Sequence, residues 1–251
     1  MKLKFLLAMM AIFTFASIAF TQSITITPKK TVYTRKGKVT FKEKRTFTVI
    51  YPIVAGTISA PVKKKLANTI SYWRIFETTL QENLSESDWL SEASYKVNYN
   101  KNGILDISLS QEGSAAYPDS QTFNLVINLK TGEQVKLADA FKTNSLAEFA
   151  QMVDKKLKVE TATIIKSIDK GEFGNDDKES NESLKEQLKG LEFTAESFNE
   201  YEVNDKGVTI LYDAGFPHVI QAAQPDGRYF FTWAEIKRFV RADGLLGKFI
   251  R

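Results

Sequence analysis

The fold is decided by residues 95–109, which read YKVNYNKNGILDISL. Residues 95–99 alternate apolar and polar side chains, which is the period of a half-buried β-strand. Asn102-Gly103 follows, the dipeptide most typical of a two-residue hairpin turn, and residues 105–109 resume the alternation. The stretch therefore predicts an antiparallel hairpin within a meander of consecutive strands.

Segments of matching pattern flank this hairpin. Residues 45–51 alternate before it, and residues 123–129 alternate after it. Between the first of these strands and the hairpin, residues 59–84 open with Ser-x-Pro and then place apolar side chains three and four positions apart. That spacing predicts one amphipathic helix, which would pack on one side of an antiparallel sheet.

The second half of the chain repeats this style. Ser145 with Glu148 indicates a capping box before a helix over residues 146–168. The polar, acidic and glycine-containing residues 171–183 predict a loop or linker. After it we expect a short helix over residues 184–188, a hairpin over 201–212, a strand over 229–233 and a closing helix over 234–241. The predicted fold is α+β, with two lobes at residues 20–142 and 143–251, each an antiparallel sheet with helices packed on one face.

The N-terminus has the pattern of a secretory signal peptide. Lys2 and Lys4 precede an apolar run, and small residues at Ser17 and Ala19 suit a signal peptidase. We predict a leader over residues 1–19, with a cut nearer Gln22 as an alternative. An uncleaved anchor is the other alternative, but the run is shorter than the roughly 20 residues that a spanning helix needs. The mature protein is expected to be secreted or periplasmic, with no membrane span.

The residue types that most hydrolytic and metal centres use are scarce. The chain has no cysteine, which excludes disulfides and thiolate metal sites, and His218 is the only histidine. It has no G-x-S-x-G elbow and no glycine-rich nucleotide loop. We therefore predict a protein that is not an enzyme and that binds neither a cofactor nor a metal. A carboxylate pair remains open, because the thirty acidic residues offer many pairs.

Charge is nearly balanced in total but uneven along the chain. Once Lys2 and Lys4 leave with the leader, 32 basic residues face 30 acidic ones, which argues against nucleic acid as a partner. Residues 29–45 are strongly basic and residues 172–202 strongly acidic. Such runs are usually solvated faces. The alternatives are a basic surface for an anionic envelope polymer and an acidic surface that steers a basic protein.

The order of several short motifs resembles a known pair of domains. In sequence these are Tyr51-Pro52, a long helix, a hairpin, Gly113–Pro118, Asn128–Gly132 and Leu137–Phe141. This order resembles the extracellular region of RsiV-type anti-sigma factors and is similar to the non-catalytic N-terminal part of PdaC-type peptidoglycan deacetylases. The resemblance covers nearly all of the mature chain. It implies a PdaC-like domain over residues 20–142 and an RsiV-like domain over residues 143–251, both of unknown function.

The resemblance implies a binding module, since in the RsiV type this region recognises lysozyme. The family's Gly-Gly-Ala-His-Pro appears here as Ser114–Pro118, so Tyr117 replaces the histidine and any role specific to imidazole is in doubt. The segment Gly215–His218 matches the family's aromatic-Pro-Tyr turn.

We therefore predict an exported binding protein of the cell envelope that recognises a lysozyme-like protein at the rim of a lobe. The candidate contact residues are Tyr117, Pro118, Tyr212, Phe216, Pro217 and His218. Their alternative role is turn and core packing, because aromatic side chains are mostly buried.

Two other functions stay open: a peptidoglycan- or glycan-binding module, and a carboxylate-based cell-wall enzyme. An exposed Trp73, Trp89 or Trp233 lining a groove would favour a sugar ligand. A broad acidic face without a groove would favour a basic protein.

Overall fold

The computed structural model describes residues 24–173 and 177–251, so the predicted leader lies outside the described residues. Two sheets form the framework, one of six strands in the order β1 to β6 and one of three strands in the order β7 to β9. The strands are β1 Ile24–Thr34, β2 Thr46–Gly56, β3 Leu90–Lys101, β4 Ile104–Ser114, β5 Pro118–Asn128, β6 Glu133–Gln134, β7 Glu200–Val203, β8 Gly207–Leu211 and β9 Arg228–Thr232.

Helices and short 3-10 turns connect these strands. The α-helices are α1 Ala60–Thr69, α2 Tyr72–Ile75, α3 Leu80–Ser85, α4 Leu137–Ala140, α5 Leu146–Asp169, α6 Lys178–Gly190 and α7 Trp233–Ile236. The 3-10 segments are Lys42–Arg45, Thr143–Ser145, Ala195–Ser197, His218–Ala223 and Leu245–Phe249. The predicted α+β class with two lobes is confirmed. None of the helices in the described residues combines the length and the apolarity that crossing a bilayer requires.

The central hairpin forms where the sequence predicts it. β3 and β4 are joined by Asn102 and Gly103, whose φ angles of 55° and 69° are the left-handed values of a type I′ turn. β4 then pairs with β5 along their full length without a register shift. One pair departs from the antiparallel prediction, because β2 and β3 run parallel. The chain returns from β2 to β3 over α1, α2 and α3, and a crossover of that kind delivers a parallel strand.

Several predicted helix boundaries are wrong for identifiable reasons. The single helix over residues 59–84 is three helices. Ser71 has an extended backbone with ψ of 119° and separates α1 from α2. Glu77, with a left-handed φ of 49°, separates α2 from α3, which Thr79 starts with a capping box to Glu82. Ser145 makes no capping bond to α5, since its hydroxyl donates to the Lys142 carbonyl at 2.7 Å. α6 begins within the predicted loop, at a cap formed by Asp177, and α7 ends after one turn.

One core joins the two lobes. The face of the large sheet that carries Leu105, Ile107 and Leu109 packs on α1. On the opposite face, Ile104 and Val126 enter a cluster that is centred on α5 and the small sheet. Phe149 of α5 stands in that cluster with four aromatic neighbours, stacked at 5.0 Å on Phe141, 5.3 Å on Phe198 and 5.5 Å on Phe239, with Phe231 at 5.1 Å edge-on. The small sheet is therefore anchored on the large one by shared apolar contacts.

A buried arginine fixes the start of the β1–β2 connection. Arg35 is 3% exposed, and its guanidinium donates to the carbonyls of Ser87 at 2.9 Å, Lys44 at 2.5 Å and Leu90 at 2.5 Å. The group also lies 4.7 Å from the centre of the Phe47 ring. Burial lowers the pKa of the Arg35 guanidinium from its ordinary value. Arg35 thus ties the β1–β2 connection to the segment before β3. Although it belongs to the basic residues 29–45, it is not part of a charged surface.

We expect Arg35→Met to lower the free energy of unfolding by about 3 kcal/mol or more, because several buried carbonyls lose their donor at once. Urea unfolding monitored by circular dichroism measures the change. Lys36→Met, at an exposed neighbouring position, is the control and should change the free energy of unfolding by less than about 0.5 kcal/mol. Equal stability of the two variants would show that Arg35 does not hold the loop.

Candidate functional site

The tip of the β4–β5 hairpin meets the second lobe. Gly113 lets the hairpin pass Trp89 closely, since a Cβ atom at Gly113 would lie 2.3 Å from the Trp89 carbonyl oxygen. Beyond this point the Tyr117 ring stacks on His218, with ring centres 5.1 Å apart and planes at 20°. Tyr117 remains 65% exposed and Val219 87% exposed. An aromatic contact therefore joins the lobes at a solvent-facing edge.

The six predicted contact residues divide into two groups. Tyr117, Pro118, Pro217 and His218 are exposed where the hairpin tip meets the second lobe. We call these four residues and Val219 the hairpin rim. Tyr212 and Phe216 are half-buried, since Tyr212 packs edge-on against Phe193 and Phe216 packs on the cluster between α5 and α6. Tyr212 and Phe216 therefore take part in packing, which was the alternative role of the six residues.

Two grooves lie at the junction of the lobes, and the upper one begins at Pro118 of the rim. The upper groove, about 470 Å³, lies beside Pro118 and Gln221 and carries the carboxylates of Glu112 and Asp119. The lower groove, about 480 Å³, lies between β5 and the small sheet. Its carboxylates are Glu200, Asp213 and Asp226. Among the described residues that line the two grooves, Arg228 is the one cation, and Glu202 pairs with it at 2.5 Å.

An exposed tryptophan lining a groove, which would favour a sugar ligand, does not occur at either groove in the described residues. Trp73 and Trp89 are half-buried, Trp233 is 8% exposed, and none of the three lines either groove. The acidic surface is nevertheless grooved and not flat. The acidic residues of segment 172–202 also do not form one face, because α6 packs on α5 while Glu200 and Glu202 lie on β7. Residues 174–176 of that segment lie outside the described residues.

A chain of buried and half-buried polar side chains crosses from the large sheet to the small one. Asp106 on β4 is fully buried and accepts from the backbone N–H of Val203 at 2.7 Å and from the Asn98 amide at 3.1 Å. The same Asn98 amide donates to Ser108 at 2.7 Å. Ser108 in turn donates to the side-chain oxygen of Asn124 on β5 at 2.6 Å. Four strands thus contribute to a single network.

The network ends at a carboxylate on the lower groove. Glu200 accepts from the backbone N–H of Asn124 at 2.7 Å and from its side-chain amide at 3.1 Å. β6 pairs only with Ile127 and Asn128 of β5, so the edge of β5 at Asn124 is free. The bonds to Glu200 therefore satisfy the Asn124 N–H on this free edge. Both Glu200 and Asn124 also line a third groove, of about 680 Å³, on the α1 side of that edge. Glu200 therefore stands between two solvent-filled grooves.

The two carboxylates of the network have raised pKa values. Burial raises the pKa of Asp106 to about 6, even though its bonds from Val203 and Asn98 favour the charged form. Burial also raises the pKa of Glu200, and repulsion from Asp213 adds to it, against the bonds from Asn124. Glu200 is the one of the two that lines a groove, and a raised pKa favours the protonated form that a general acid requires.

Sequence reasoning missed this network. In the stretch 104–109 the polar residues Asp106 and Ser108 alternate with apolar ones, which indicates a solvent-facing side of a strand. In the structure the second lobe covers that side. The described residues hold no group of three or more His, Cys, Asp or Glu that could bind a metal ion.

Comparisons with known proteins identify the fold. No family model matches the chain, and no curated protein matches it. A crystal structure of a member of the DUF3298 family from Bacteroides fragilis is similar, with a TM-score of 0.56 and 10% identity over 91% of this chain and 97% of that one. A DUF3298 family protein from Pseudomonas aeruginosa is also similar, with a TM-score of 0.53 and 13% identity over 88% of this chain and 94% of that one. The chain therefore shares its fold with uncharacterised domains.

We expect the buried carboxyl of Asp106 to make stability depend on pH. Its pKa is raised in the folded state, so the folded protein holds a proton that the unfolded chain releases between about pH 4 and about pH 6. The contribution of Asp106 to the free energy of unfolding should therefore fall by about 1 to 3 kcal/mol as pH rises through this window. Urea unfolding between pH 4 and pH 7.5 measures the effect.

Asp106→Asn should remove this dependence. The carboxamide resembles the protonated carboxyl group and does not titrate, so the free energy of unfolding of the variant should stay constant where that of the wild type falls. Relative to the wild type, the variant should therefore gain about 1 to 3 kcal/mol between pH 4 and pH 7.5. Asp119→Asn, which changes an exposed carboxylate, is the control and should keep the wild-type pH dependence. A difference between Asp106→Asn and wild type that stays constant with pH would contradict the assignment.

Proposed function

We propose that this protein is an exported, non-enzymatic binding protein of the cell envelope that takes a basic, lysozyme-like protein on the hairpin rim. The observation that carries the proposal is the stacking of Tyr117 on His218, which joins the lobes beside a groove that Glu112 and Asp119 line. Neither aromatic ring is buried by the contact. A partner protein can therefore cover both rings and exclude water from them.

The composition of the rim supports recognition of a protein. Tyrosine contributes a large and rigid contact area, and such residues dominate binding energy where a partner encloses them. Val219 and the two prolines of the rim add apolar surface with little side-chain entropy to lose. A contact of this kind acts as an anchor, while the surrounding polar residues exclude water.

Charge supports a basic partner. Glu112 and Asp119 line the upper groove, and the lining residues include no cation, although Lys44 donates to the carbonyl of Ser114 at its wall at 2.6 Å. Opposite charges on two proteins accelerate their association and disfavour partners of the wrong sign. The resemblance to the RsiV type agrees with this chemistry, since lysozyme is a basic protein. In this chain Tyr117, in the place of the family's histidine, stacks on the only histidine of the sequence.

A carboxylate-based cell-wall enzyme is the second candidate, and Glu200 is the observation that favours it. Its raised pKa and its place between two grooves are properties of a general acid. Against this role, Asn124 already donates two hydrogen bonds to one oxygen of the carboxylate. These bonds tie Glu200 to the edge of β5, which is a structural role.

Replacement of the stacked rings should weaken lysozyme binding. We expect the double variant Tyr117→Ala and His218→Ala to lose about tenfold or more in affinity, because it removes the central apolar anchor. Surface plasmon resonance with immobilised lysozyme measures the loss. Val32→Ala removes an exposed apolar side chain on the far edge strand β1 and is the control. Unchanged affinity of the double variant would rule out the rim.

The acidic groove should set the association rate. The double variant Glu112→Gln and Asp119→Asn should slow association with lysozyme and reduce its dependence on salt, while the dissociation rate changes less. The same plasmon resonance experiment at low and high salt gives both rates. Association that is independent of salt in the wild type would contradict an acidic docking surface.

The enzyme alternative has a separate test. Incubation of the protein with purified peptidoglycan, followed by chromatography of soluble fragments, measures turnover. Our proposal expects no fragments from the wild type. Fragments that disappear in Glu200→Gln but persist in Asp226→Asn, another carboxylate of the same groove, would establish the enzyme and overturn the binding role.

A further inference from the structure

A pocket separate from the three grooves described above lies at the opposite end of β4 from the hairpin rim. Its walls are the β3–β4 turn at Asn102 and Gly103, the β5–β6 turn at Asn128 and Lys130, and the C-terminal segment 243–251. Its volume is about 340 Å³. β4 has 11 residues, so roughly 30 Å separates this pocket from the rim. The proposed rim function does not involve the pocket.

The pocket has an excess of positive charge. Lys130, Lys248 and Arg251 line it, together with one carboxylate, that of Asp243. Asp243 is already paired, because Arg241 donates to its two oxygens at 3.3 and 3.1 Å. In the part of the chain that the structure describes, neither Lys130 nor Lys248 has a carboxylate within 4.0 Å. Two ammonium groups therefore line this pocket without a salt bridge of their own.

Lys248 is an exposed residue whose ammonium is anchored by a hydrogen bond. Its ammonium donates to the carbonyl of Asn102. Beside it, the Phe249 ring stacks on Trp233 with ring centres 4.5 Å apart and planes at 5°. Burial, and secondarily repulsion from Lys130, lowers the pKa of the Lys248 ammonium. The fold therefore keeps two like charges together, which is unfavourable unless an anion accompanies them.

We infer that this pocket binds a phosphate group. Two ammonium groups and a guanidinium supply charge-assisted donors, which phosphate oxygens accept better than neutral groups do. The backbone turns at Gly103 and Gly244 leave room for close approach, since no side chain projects from either residue. The volume exceeds that of a single oxyanion, so a phosphate ester with a small polar substituent also fits.

Binding would connect the two lobes. Lys130 belongs to the large sheet's β5–β6 turn, and Lys248 belongs to the C-terminal segment that packs on the shared core. A phosphate between them would attract both ammonium groups and so offset the repulsion between the two. Because the unfolded chain holds no such pair, the ligand would stabilise the folded state by an amount that grows with the logarithm of its concentration above the dissociation constant.

Thermal unfolding and isothermal titration calorimetry of the protein with inorganic phosphate test the inference. Phosphate should raise the melting temperature more than chloride does at the same ionic strength. Lys130→Met and Lys248→Met should each weaken phosphate binding about tenfold, and the double variant should lose it. Lys170→Met, an exposed lysine paired with Glu172 at 3.5 Å, is the control and should bind as the wild type does.

Two results would overturn the site. One is a phosphate shift no larger than that of chloride in the wild type, and the other is an undiminished shift in the double variant. Circular dichroism of the unliganded variants checks that they fold, and Lys130→Met changes an exposed side chain that the core does not need. Lysozyme binding by the double variant should be unchanged, so failure at this site and failure at the rim can be told apart.

The same experiment with other phosphate-containing ligands distinguishes the source of the phosphate. Glycerol phosphate and vesicles of phosphatidylglycerol, with phosphatidylcholine vesicles as the neutral control, represent esters of the envelope. Tighter binding of the esters than of inorganic phosphate, lost in the double variant, identifies a polymer or lipid headgroup. Equal binding of inorganic phosphate identifies the free ion. Binding of vesicles that the double variant retains counts against this pocket as their site.

Discussion

The structure depends on one constraint, which is that β4 is buried on both of its faces. Its residues from Ile104 to Leu109 are all buried, although they alternate between the two sides of the sheet. One side meets α1 and is apolar. The other side meets the second lobe, so Asp106 and Ser108 are covered as well. The placement of the lobes follows from this strand, because the small sheet packs where β4 would otherwise be open.

Burial of a carboxyl group is unfavourable unless its oxygens are bonded. Here every member of the chain from Asp106 to Glu200 has a partner, and the partners come from four different strands. Apolar residues of similar volume could stabilise the junction as well, but they would fix its geometry less. Donors and acceptors at set positions allow one alignment of β7 on β5. The network thus defines how the hairpin tip faces the second lobe.

The sequence predicted local features better than distant contacts. Asn102-Gly103 set the central hairpin because few residue pairs adopt two left-handed conformations in a row. The break of the first helix at Glu77 was missed, since a left-handed glutamate has no sequence signature of its own, although Thr79 and Glu82 did carry the pattern of a new helix start. The resemblance placed Tyr117 and His218 in one candidate site, yet no spacing rule could bring residues 101 positions apart into a stack.

The two ends of β4 have opposite electrostatic character, and this difference limits which ligands each end can take. The rim end carries exposed aromatic and carboxylate groups, whereas the turn end carries lysines without salt bridges of their own. Separation by roughly 30 Å, nearly four Debye lengths of about 8 Å at physiological salt, leaves each end electrostatically independent. The formal net charge of +4 therefore does not describe either end by itself. The charges would attract a basic protein to the rim and an anionic group to the pocket, so the two proposed ligands would not compete.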